Sequence, residues 1–239
     1  MKSPRHPLSV ASFSLWLFAA FLLLAHPLHA QTPAAKRVAC VGDSITQGVG
    51  TANARIESYP AQLQRMLDEH WIIGNFGNSG STLLNQGDKP YQKQRSFQDA
   101  LNFKPDVVII MLGTNDTKPH NWKFKDQFVA DYKDLIGKFK ALPSSPRIFI
   151  CRPAFVPGAG NFGINEPVIL EQIPIVDQIA KDEGAEVIDM HAALEGHDDL
   201  LPDRVHPNAA GANVMARAAC KALTGKEFTG ELSPVVPGS

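Results

Sequence analysis

The sequence predicts an α/β fold with a mostly parallel sheet, and three observations lead to this prediction. Five short apolar runs along the chain have the length of buried strands. The run at 107–112 is apolar at every position, as expected for a strand that is covered on both faces. Amphipathic helical patterns separate the runs, and strands that alternate with helices indicate parallel pairing.

The predicted strands cover residues 37–41, 71–75, 106–112, 147–151 and 185–189. The predicted helices cover residues 59–70, 124–139, 169–180 and 208–223, where apolar side chains recur at three- and four-residue steps or alanine is frequent. We expect Pro174 to kink the third of these helices, because proline lacks the backbone N–H and its ring clashes with the preceding turn.

Composition excludes several classes of function. The chain has 239 residues, of which 44% are hydrophobic and 20% charged, so it can bury a substantial core. The net charge is −1, which leaves no basic footprint for nucleic acid and no polybasic patch for a membrane surface. The three cysteines, Cys40, Cys151 and Cys220, cannot all pair within the chain, and we expect buried free thiols.

The first 30 residues have the three parts of a signal peptide. Lys2 and Arg5 precede an apolar run at 15–25, and a more polar stretch ends at Ala30. The alternative is a retained anchor, but a run of about 11 apolar residues is shorter than the roughly 20 that span a bilayer. We therefore predict a signal peptide (1–30), one main folded domain (31–224), a tail (225–239), and export to the periplasm or the medium without stable membrane insertion.

Ser44 follows the first predicted strand, in Gly42-Asp43-Ser44. At a strand-to-helix turn its hydroxyl can face a site at the sheet edge, and its N–H can help to hold an oxyanion. The alternative is an ordinary N-cap serine. The loop has neither the lysine of a phosphate-binding loop nor the G-x-G-x-x-G spacing, which argues against a nucleotide site.

Two candidate oxyanion donors follow the next strands. Gly80 follows the second strand and can offer its N–H, while Asn115 follows the third and can offer its side-chain amide. A tight turn and an Asx-turn are the respective alternatives. Ser79 is a rival nucleophile, although its surroundings fail the G-x-S-x-G pattern at the last position.

Asp203 and His206 follow the fifth strand, three residues apart. A carboxylate on one imidazole nitrogen fixes the tautomer, so that the other nitrogen can take the proton from Ser44. The alternative is a surface aspartate beside a histidine at a helix entry. Convergence of these side chains at one sheet edge favours a Ser-His-Asp site without metal or cofactor, because the other nearby polar residues have no tight ligand spacing: His191, His197, Asp198 and Asp199.

The four segments, in this order, resemble the SGNH (GDSL-like) hydrolase family. The resemblance implies Ser44 as the nucleophile, Gly80 and Asn115 as oxyanion donors beside the Ser44 N–H, and Asp203 with His206 as the D-x-x-H pair. It also implies a three-layer α/β/α, flavodoxin-like fold with five strands in the order 2-1-3-4-5.

Within this family the chain is most similar to secreted bacterial acetylesterases related to sialate O-acetylesterases, on the cues at 59–63, 87–91 and 118–122. The resemblance implies acetyl esters of carbohydrates as substrates, either sialic acid or O-acetylated polysaccharide. We expect Asp43, Tyr91 and Trp122 to contact substrate, with core or lid positions as the alternative for the two aromatic residues. The alternative functions are a lysophospholipase or thioesterase, and an inactive sugar-binding domain.

Overall fold

Five parallel strands form the central sheet of the computed structural model, which describes Met1 and residues 34–232. They pair in the order β2-β1-β3-β4-β5. Their bounds are β1 Lys36–Gly42, β2 Trp71–Gly77, β3 Val107–Met111, β4 Arg147–Arg152 and β5 Glu186–Asp189. The predicted α/β class and the strand order implied by the resemblance are confirmed.

Nine α-helices connect or flank these strands in residues 34–232. They are α1 Ser44–Gln47, α2 Ala54–Glu57, α3 Tyr59–Met66, α4 Arg95–Asn102, α5 Pro119–Trp122, α6 Phe128–Lys140, α7 Glu166–Glu183, α8 Met190–Leu194 and α9 Ala209–Thr224. The helical patterns predicted α3, α6, α7 and α9. Pro174 lies inside α7, which continues for nine further residues to Glu183, so the proline does not end the helix. The sequence pattern missed α4, which buries only Phe97 and Ala100.

The two faces of the sheet bury separate apolar cores, so the architecture has three layers. Alternate strand residues point to opposite sides: Val38 and Cys40 belong to one core, and Ala39 and Val41 to the other. Helices α3, α8 and α9 cover the first face, and α4, α6 and α7 cover the second. All three cysteines are free and buried, as expected.

The chain termini bear on the predicted domain bounds. The predicted signal peptide lies outside the described residues except for Met1, and so do residues 233–239 of the predicted tail. The part of the tail before them packs on the domain, where Phe228 and Leu232 contact the first core. No helix within residues 34–232 has the length and apolar character needed to cross a membrane.

Candidate active site

Ser44, His206 and Asp203 form a hydrogen-bonded chain at the carboxyl edge of the sheet. The Ser44 Oγ lies 2.9 Å from His206 Nε2, and His206 Nδ1 lies 2.7 Å from Asp203 Oδ2. Ser44 and His206 are both buried, with a small face open to the pocket. This order of groups lets the imidazole accept the serine proton while the carboxylate holds the tautomer.

The segment that carries His206 is fixed by its own backbone contacts. Asp203 Oδ1 accepts hydrogen bonds from the N–H groups of Val205 and His206, at 3.0 and 2.7 Å. Burial opposes ionisation of Asp203, but these bonds and the imidazole outweigh it and hold the pKa of Asp203 below its ordinary value. The carboxylate therefore stays charged and faces His206.

Gly50 packs against the backbone and Cβ of His206, and α9 begins shortly after that residue. A Cβ on Gly50, which has a φ of +98°, would lie 2.7 Å from the Pro207 carbonyl oxygen and 2.8 Å from His206 Cβ. The Asn208 side chain then accepts the Gly211 N–H and caps α9 two residues after the base. Only a glycine at position 50 lets the loop after α1 pack this closely against His206.

Two backbone N–H groups are available beside Ser44. Ser44 is the first residue of α1, and Gly80 has a φ of +78° in the loop after β2. A Cβ on Gly80 would meet only Lys89 Cδ, at 3.7 Å, so this stretch of backbone is open to the pocket. Within the described part of the chain, neither N–H donates to a protein acceptor, which leaves both available to an oxyanion.

Asn115 joins the nucleophile turn to the Gly80 loop. Its Nδ2 donates to the Ser81 carbonyl oxygen at 3.1 Å and to Asp43 Oδ2 at 3.3 Å. The other carboxylate oxygen of Asp43 accepts the Ile45 N–H and caps α1. Asp43 is thus fully buried beneath the site, where it can position Asn115 and has no exposed surface for substrate.

Burial of carboxyl groups is the main electrostatic feature of this side of the site. Burial raises the pKa of Asp43 to about 6, although the Ile45 N–H and the charge of His206 favour the ionised form. Burial likewise raises the pKa of Asp116 to about 7, against hydrogen bonds from the N–H groups of Leu84 and Leu83. Through those two bonds Asp116 holds the loop that follows Gly80.

The pocket over the triad has a volume of about 230 Å³. Its lining residues are Ser44, Ser79, Gly80, Asn115, Lys118, Phe162, Ile164 and His206. Ser79 faces the pocket, but its N–H donates to Gln47 and its carbonyl oxygen accepts from Lys89, while His206 bonds Ser44. The structure therefore pairs the base with Ser44 and not with the rival serine.

Sequence reasoning missed Lys118, Phe162 and Ile164 as pocket residues. Phe162 and Ile164 belong to the glycine-rich loop between β4 and α7. The rule that ligand sites form at the carboxyl ends of parallel strands would have directed attention to this loop. Lys118 lies three residues after Asn115, among the cues already noted for the resemblance.

The structure does not bring Tyr91 and Trp122 to this pocket. Tyr91 is fully buried and donates its hydroxyl hydrogen to the Phe76 carbonyl oxygen, 2.8 Å away. Trp122 packs edge-on against Phe128, and its Nε1 donates to Glu171. Both rings belong to the core of the second sheet face, which was the alternative for these residues.

The polar residues that precede the D-x-x-H pair do not gather into a metal site. His191 pairs with Glu166 at 2.6 Å, and the second oxygen of Glu166 accepts the Val156 N–H. His197, Asp198 and Asp199 lie exposed on the surface. Within residues 34–232, no group of three or more histidine, cysteine or acidic side chains is placed to hold a metal ion.

A larger groove of about 620 Å³ lies beside α2, α3 and the edge strand β2. Its lining residues include Arg55, Gln64 and Arg65 but none of Ser44, Asp203 and His206. Gln64 satisfies two backbone groups at the edge of β2 there. Its Nε2 donates to the Trp71 carbonyl oxygen, and its Oε1 accepts the Ile73 N–H. Cavity size alone would have selected this groove, whereas the hydrogen-bonded chain of Ser44, His206 and Asp203 lies at the smaller pocket.

Comparison with known proteins identifies the family of the chain. The model of the GDSL-like Lipase/Acylhydrolase family matches residues 40–214. The chain belongs to this family. It is 42% identical over 208 residues to an acetylxylan esterase of Xylanibacter ruminicola, an alignment that covers 78% of this chain and 43% of that protein. It is 30% identical over 205 residues to an acetylxylan esterase of Geobacillus stearothermophilus, covering 74% of this chain and 89% of that one.

Solved structures agree with the family membership. The acetylxylan esterase structure from Geobacillus stearothermophilus superposes with a TM-score of 0.63 at 25% identity, covering 80% of this chain and 95% of that one. A carbohydrate acetylesterase from Sinorhizobium meliloti shares the fold, with a TM-score of 0.61 at 19% identity, covering 80% and 99%. The family and the two acetylxylan esterases at 42% and 30% identity place the chain among carboxylic ester hydrolases.

Proposed function

We propose that this chain hydrolyses short-chain esters, chiefly acetyl esters on carbohydrates, through an acyl-enzyme formed on Ser44. The observation that carries the proposal is the unbroken hydrogen-bonded chain from Ser44 Oγ through the imidazole of His206 to Asp203. Ser44 and Gly80, whose N–H groups have no acceptor in the described part of the protein, line one pocket with His206. Together these groups supply a nucleophile, a base and donors for a developing negative charge.

Acylation begins with proton transfer from Ser44 Oγ to His206 Nε2 as the serine oxygen bonds to the ester carbonyl carbon. The carbonyl oxygen becomes an oxyanion, which accepts hydrogen bonds from the N–H groups of Ser44 and Gly80. The third donor is the Asn115 Nδ2 hydrogen that bonds Asp43 in the free protein. At 3.3 Å this bond is longer than the bond to the Ser81 carbonyl oxygen, so it is the one that the oxyanion replaces. The bond to the alcohol oxygen then breaks, and the alcohol leaves with the proton from His206.

Deacylation repeats the same steps with water. His206 removes a proton from a water molecule, whose oxygen bonds to the acyl carbon of the Ser44 ester. The oxyanion forms again in the same place, the bond to Ser44 Oγ breaks, and His206 returns the proton to the serine. Throughout, the charged Asp203 stabilises the imidazolium that forms between the two proton transfers.

Pocket size and the named relatives support the acetyl group and the carbohydrate. A volume of about 230 Å³, shared between the acyl group and part of the alcohol, suits a short acyl chain better than a lipid chain. Both curated relatives reported above are acetylxylan esterases. Acetate release from acetylated xylo-oligosaccharides, compared with hydrolysis of a series of esters with longer acyl chains, tests this part. A preference for long acyl chains would contradict it.

Replacement of the nucleophile tests the mechanism. We expect Ser44→Ala to lower kcat on an acetate ester by roughly 10⁶-fold, since loss of a triad serine removes the covalent route. Ser79→Ala is the matched control, because Ser79 lines the same pocket without a bond to His206. A fluorophosphonate should add its mass at Ser44 in the wild type and in the control. Turnover of Ser44→Ala at the wild-type rate, or labelling at Ser79, would contradict the assignment.

We also propose that residues 1–30 direct export and are removed. The support is their order of basic, apolar and polar segments, which ends at Ala30. N-terminal sequencing of the protein recovered from its natural host should give Gln31 as the first residue. A mature chain that still begins at Met1 would contradict cleavage.

A further inference from the structure

Phe162 is the only phenylalanine, tyrosine or tryptophan among the described residues that is strongly exposed. The residue is 56% exposed, and it lines the pocket over the triad. We propose that Phe162 is the platform on which the sugar ring of the leaving alcohol stacks. The inference rests on the proposed esterase function and adds to it the residue that selects a ring-bearing alcohol.

Proton transfer determines where the leaving alcohol lies. In acylation the alcohol oxygen takes its proton from His206 Nε2, so this oxygen must come within hydrogen-bond distance of the imidazole. A sugar ring attached to that oxygen then lies beside His206. The ring of Phe162 is centred 5.8 Å from the imidazole and tilted by 49° to it. Phe162 therefore borders the space of the alcohol, while the oxyanion donors at Gly80 and Asn115 border the carbonyl.

The loop that carries Phe162 is tied to the catalytic segment. The Asn161 side chain accepts the Phe162 N–H at 2.8 Å and donates to the Asp203 carbonyl oxygen at 3.1 Å. The Ile164 N–H donates to the Asn161 carbonyl oxygen at 2.8 Å and closes the turn. The position of the Phe162 ring is thus set by the same segment that holds the base.

The loop is also tied to the opposite side of the pocket. The Asn165 amide donates to the Thr117 carbonyl oxygen, and the stem of Lys118 lies beside Gly163. Residues 161–165 therefore span the pocket from the Asp203 side to the Asn115 side. A ring held by contacts at both ends is a preorganised binding surface, which loses little freedom when a sugar stacks on it.

The backbone at Phe162 has an unfavourable conformation. Its φ is +55°, in the left-handed region that bulky side chains rarely adopt. Packing of the side chain does not account for this conformation, because the residue is mostly exposed. Strained backbone of this kind is concentrated at ligand-binding sites, and here it holds the ring over the triad pocket. The flat apolar face of the ring suits the C–H face of a pyranose.

Two substrates with different alcohols test the proposal. Acetylated xylobiose leaves a sugar, whereas ethyl acetate leaves ethanol, and both transfer the same acetyl group. We expect Phe162→Ala to lower kcat/KM for acetylated xylobiose by about tenfold, and to leave kcat/KM for ethyl acetate within about twofold of the wild type. Phe162→Trp should retain activity on the sugar ester. Leu170→Ala, which shortens an exposed apolar side chain outside the pocket, is the matched control.

Ethyl acetate also reports whether Phe162→Ala is folded and has a working triad. Equal losses on both substrates would overturn the proposal, because Phe162 would then act on His206 or on the acyl group. Unchanged activity on both would overturn the platform and leave the esterase assignment intact. A wild-type protein that cleaves ethyl acetate but not acetylated xylobiose would overturn the carbohydrate function, and the platform with it.

Discussion

The two sides of the pocket are built in different ways. The triad wall, defined as the segment from Asp203 to His206, is local: its carboxylate bonds the imidazole three residues later and two N–H groups within the same turn. The oxyanion wall, defined as Gly80 and Asn115 with the buried Asp43 and Asp116 behind them, joins segments that are 32 to 72 residues apart. The first depends on a short spacing and the second on long-range buried contacts.

This difference separates the expected effects of mutation on the two walls. A change in the triad wall alters which atom carries the proton, so it should act on turnover with little effect on folding. A change in the oxyanion wall removes a donor or a buried support, so it should lower transition-state binding less severely and also alter stability. Three substitutions test this contrast, from the largest expected effect to the smallest.

Asp203→Asn should give the largest effect in the triad wall. The asparagine oxygen can still accept the N–H groups of Val205 and His206, while its amide would donate to His206 Nδ1 and force the proton onto Nε2. Nε2 could then no longer accept the Ser44 proton, and we expect kcat to fall by about 10⁴-fold. Steady-state kinetics on ethyl acetate measure this loss, with thermal unfolding as the check on folding.

Asp199→Asn is the matched control for that experiment, since Asp199 is an exposed carboxylate four residues earlier whose side chain does not touch His206. Its turnover should equal that of the wild type. Retention of more than about a tenth of wild-type kcat by Asp203→Asn would show that the carboxylate does not set the tautomer.

Asn115→Ala should have an intermediate effect, on the oxyanion wall. Removal of one oxyanion donor costs about 10²–10³ in kcat, with KM little changed, because the bond forms only in the transition state. The variant should also be less stable, because the Ser81 carbonyl oxygen and Asp43 lose their donor. Asn102→Ala, an exposed asparagine at the end of α4, is the control. A rise in KM at constant kcat would assign Asn115 to ground-state binding instead.

The same contrast explains what could be predicted from the sequence. Asp203 and His206 stand at a spacing that itself suggests their bond, and Ser44 and Asn115 follow apolar runs whose strand ends had to meet at one edge. Phe162 could not be placed in this way, because its position depends on long-range contacts of its loop, of Asn161 with the Asp203 carbonyl oxygen and of Asn165 with the Thr117 carbonyl oxygen. No sequence pattern in the loop between β4 and α7 predicts such long-range contacts.

Tyr91 and Trp122 show the opposite case, in which the sequence suggested a position in the site and the structure places both rings in the core. Tyr91 and Trp122 follow strand ends, as a sugar-binding ring would, yet both rings turn into the core. Tyr91 can be buried because its hydroxyl finds the Phe76 carbonyl oxygen, and Trp122 because its indole N–H finds Glu171. The partner that satisfies a polar atom decides whether such a ring is buried, and these partners are 15 and 49 residues away.

Asp116→Asn should have the smallest effect, on the pH dependence of stability. With a folded pKa of about 7 and an unfolded pKa near 3.8, Asp116 keeps its proton in the native state while the unfolded chain has lost it. The native state therefore binds more protons between about pH 4 and pH 7, and the free energy of unfolding falls as pH rises through that window. Asp43 acts in the same direction up to about pH 6. Asp203, whose folded pKa is lowered, acts in the opposite direction, at lower pH.

Urea unfolding at pH 4.5 and pH 7.0 measures this contribution. We expect the loss of unfolding free energy between the two pH values to be smaller in Asp116→Asn by roughly 1–3 kcal/mol, because the amide does not titrate. Thr82→Val is the control: it removes the buried bond from Thr82 to the Leu84 carbonyl oxygen in the same segment without removing a titratable group. That variant should lose stability equally at both pH values. If Asp116→Asn and the wild type showed the same pH dependence, the carboxyl group behind the oxyanion wall would be ionised throughout.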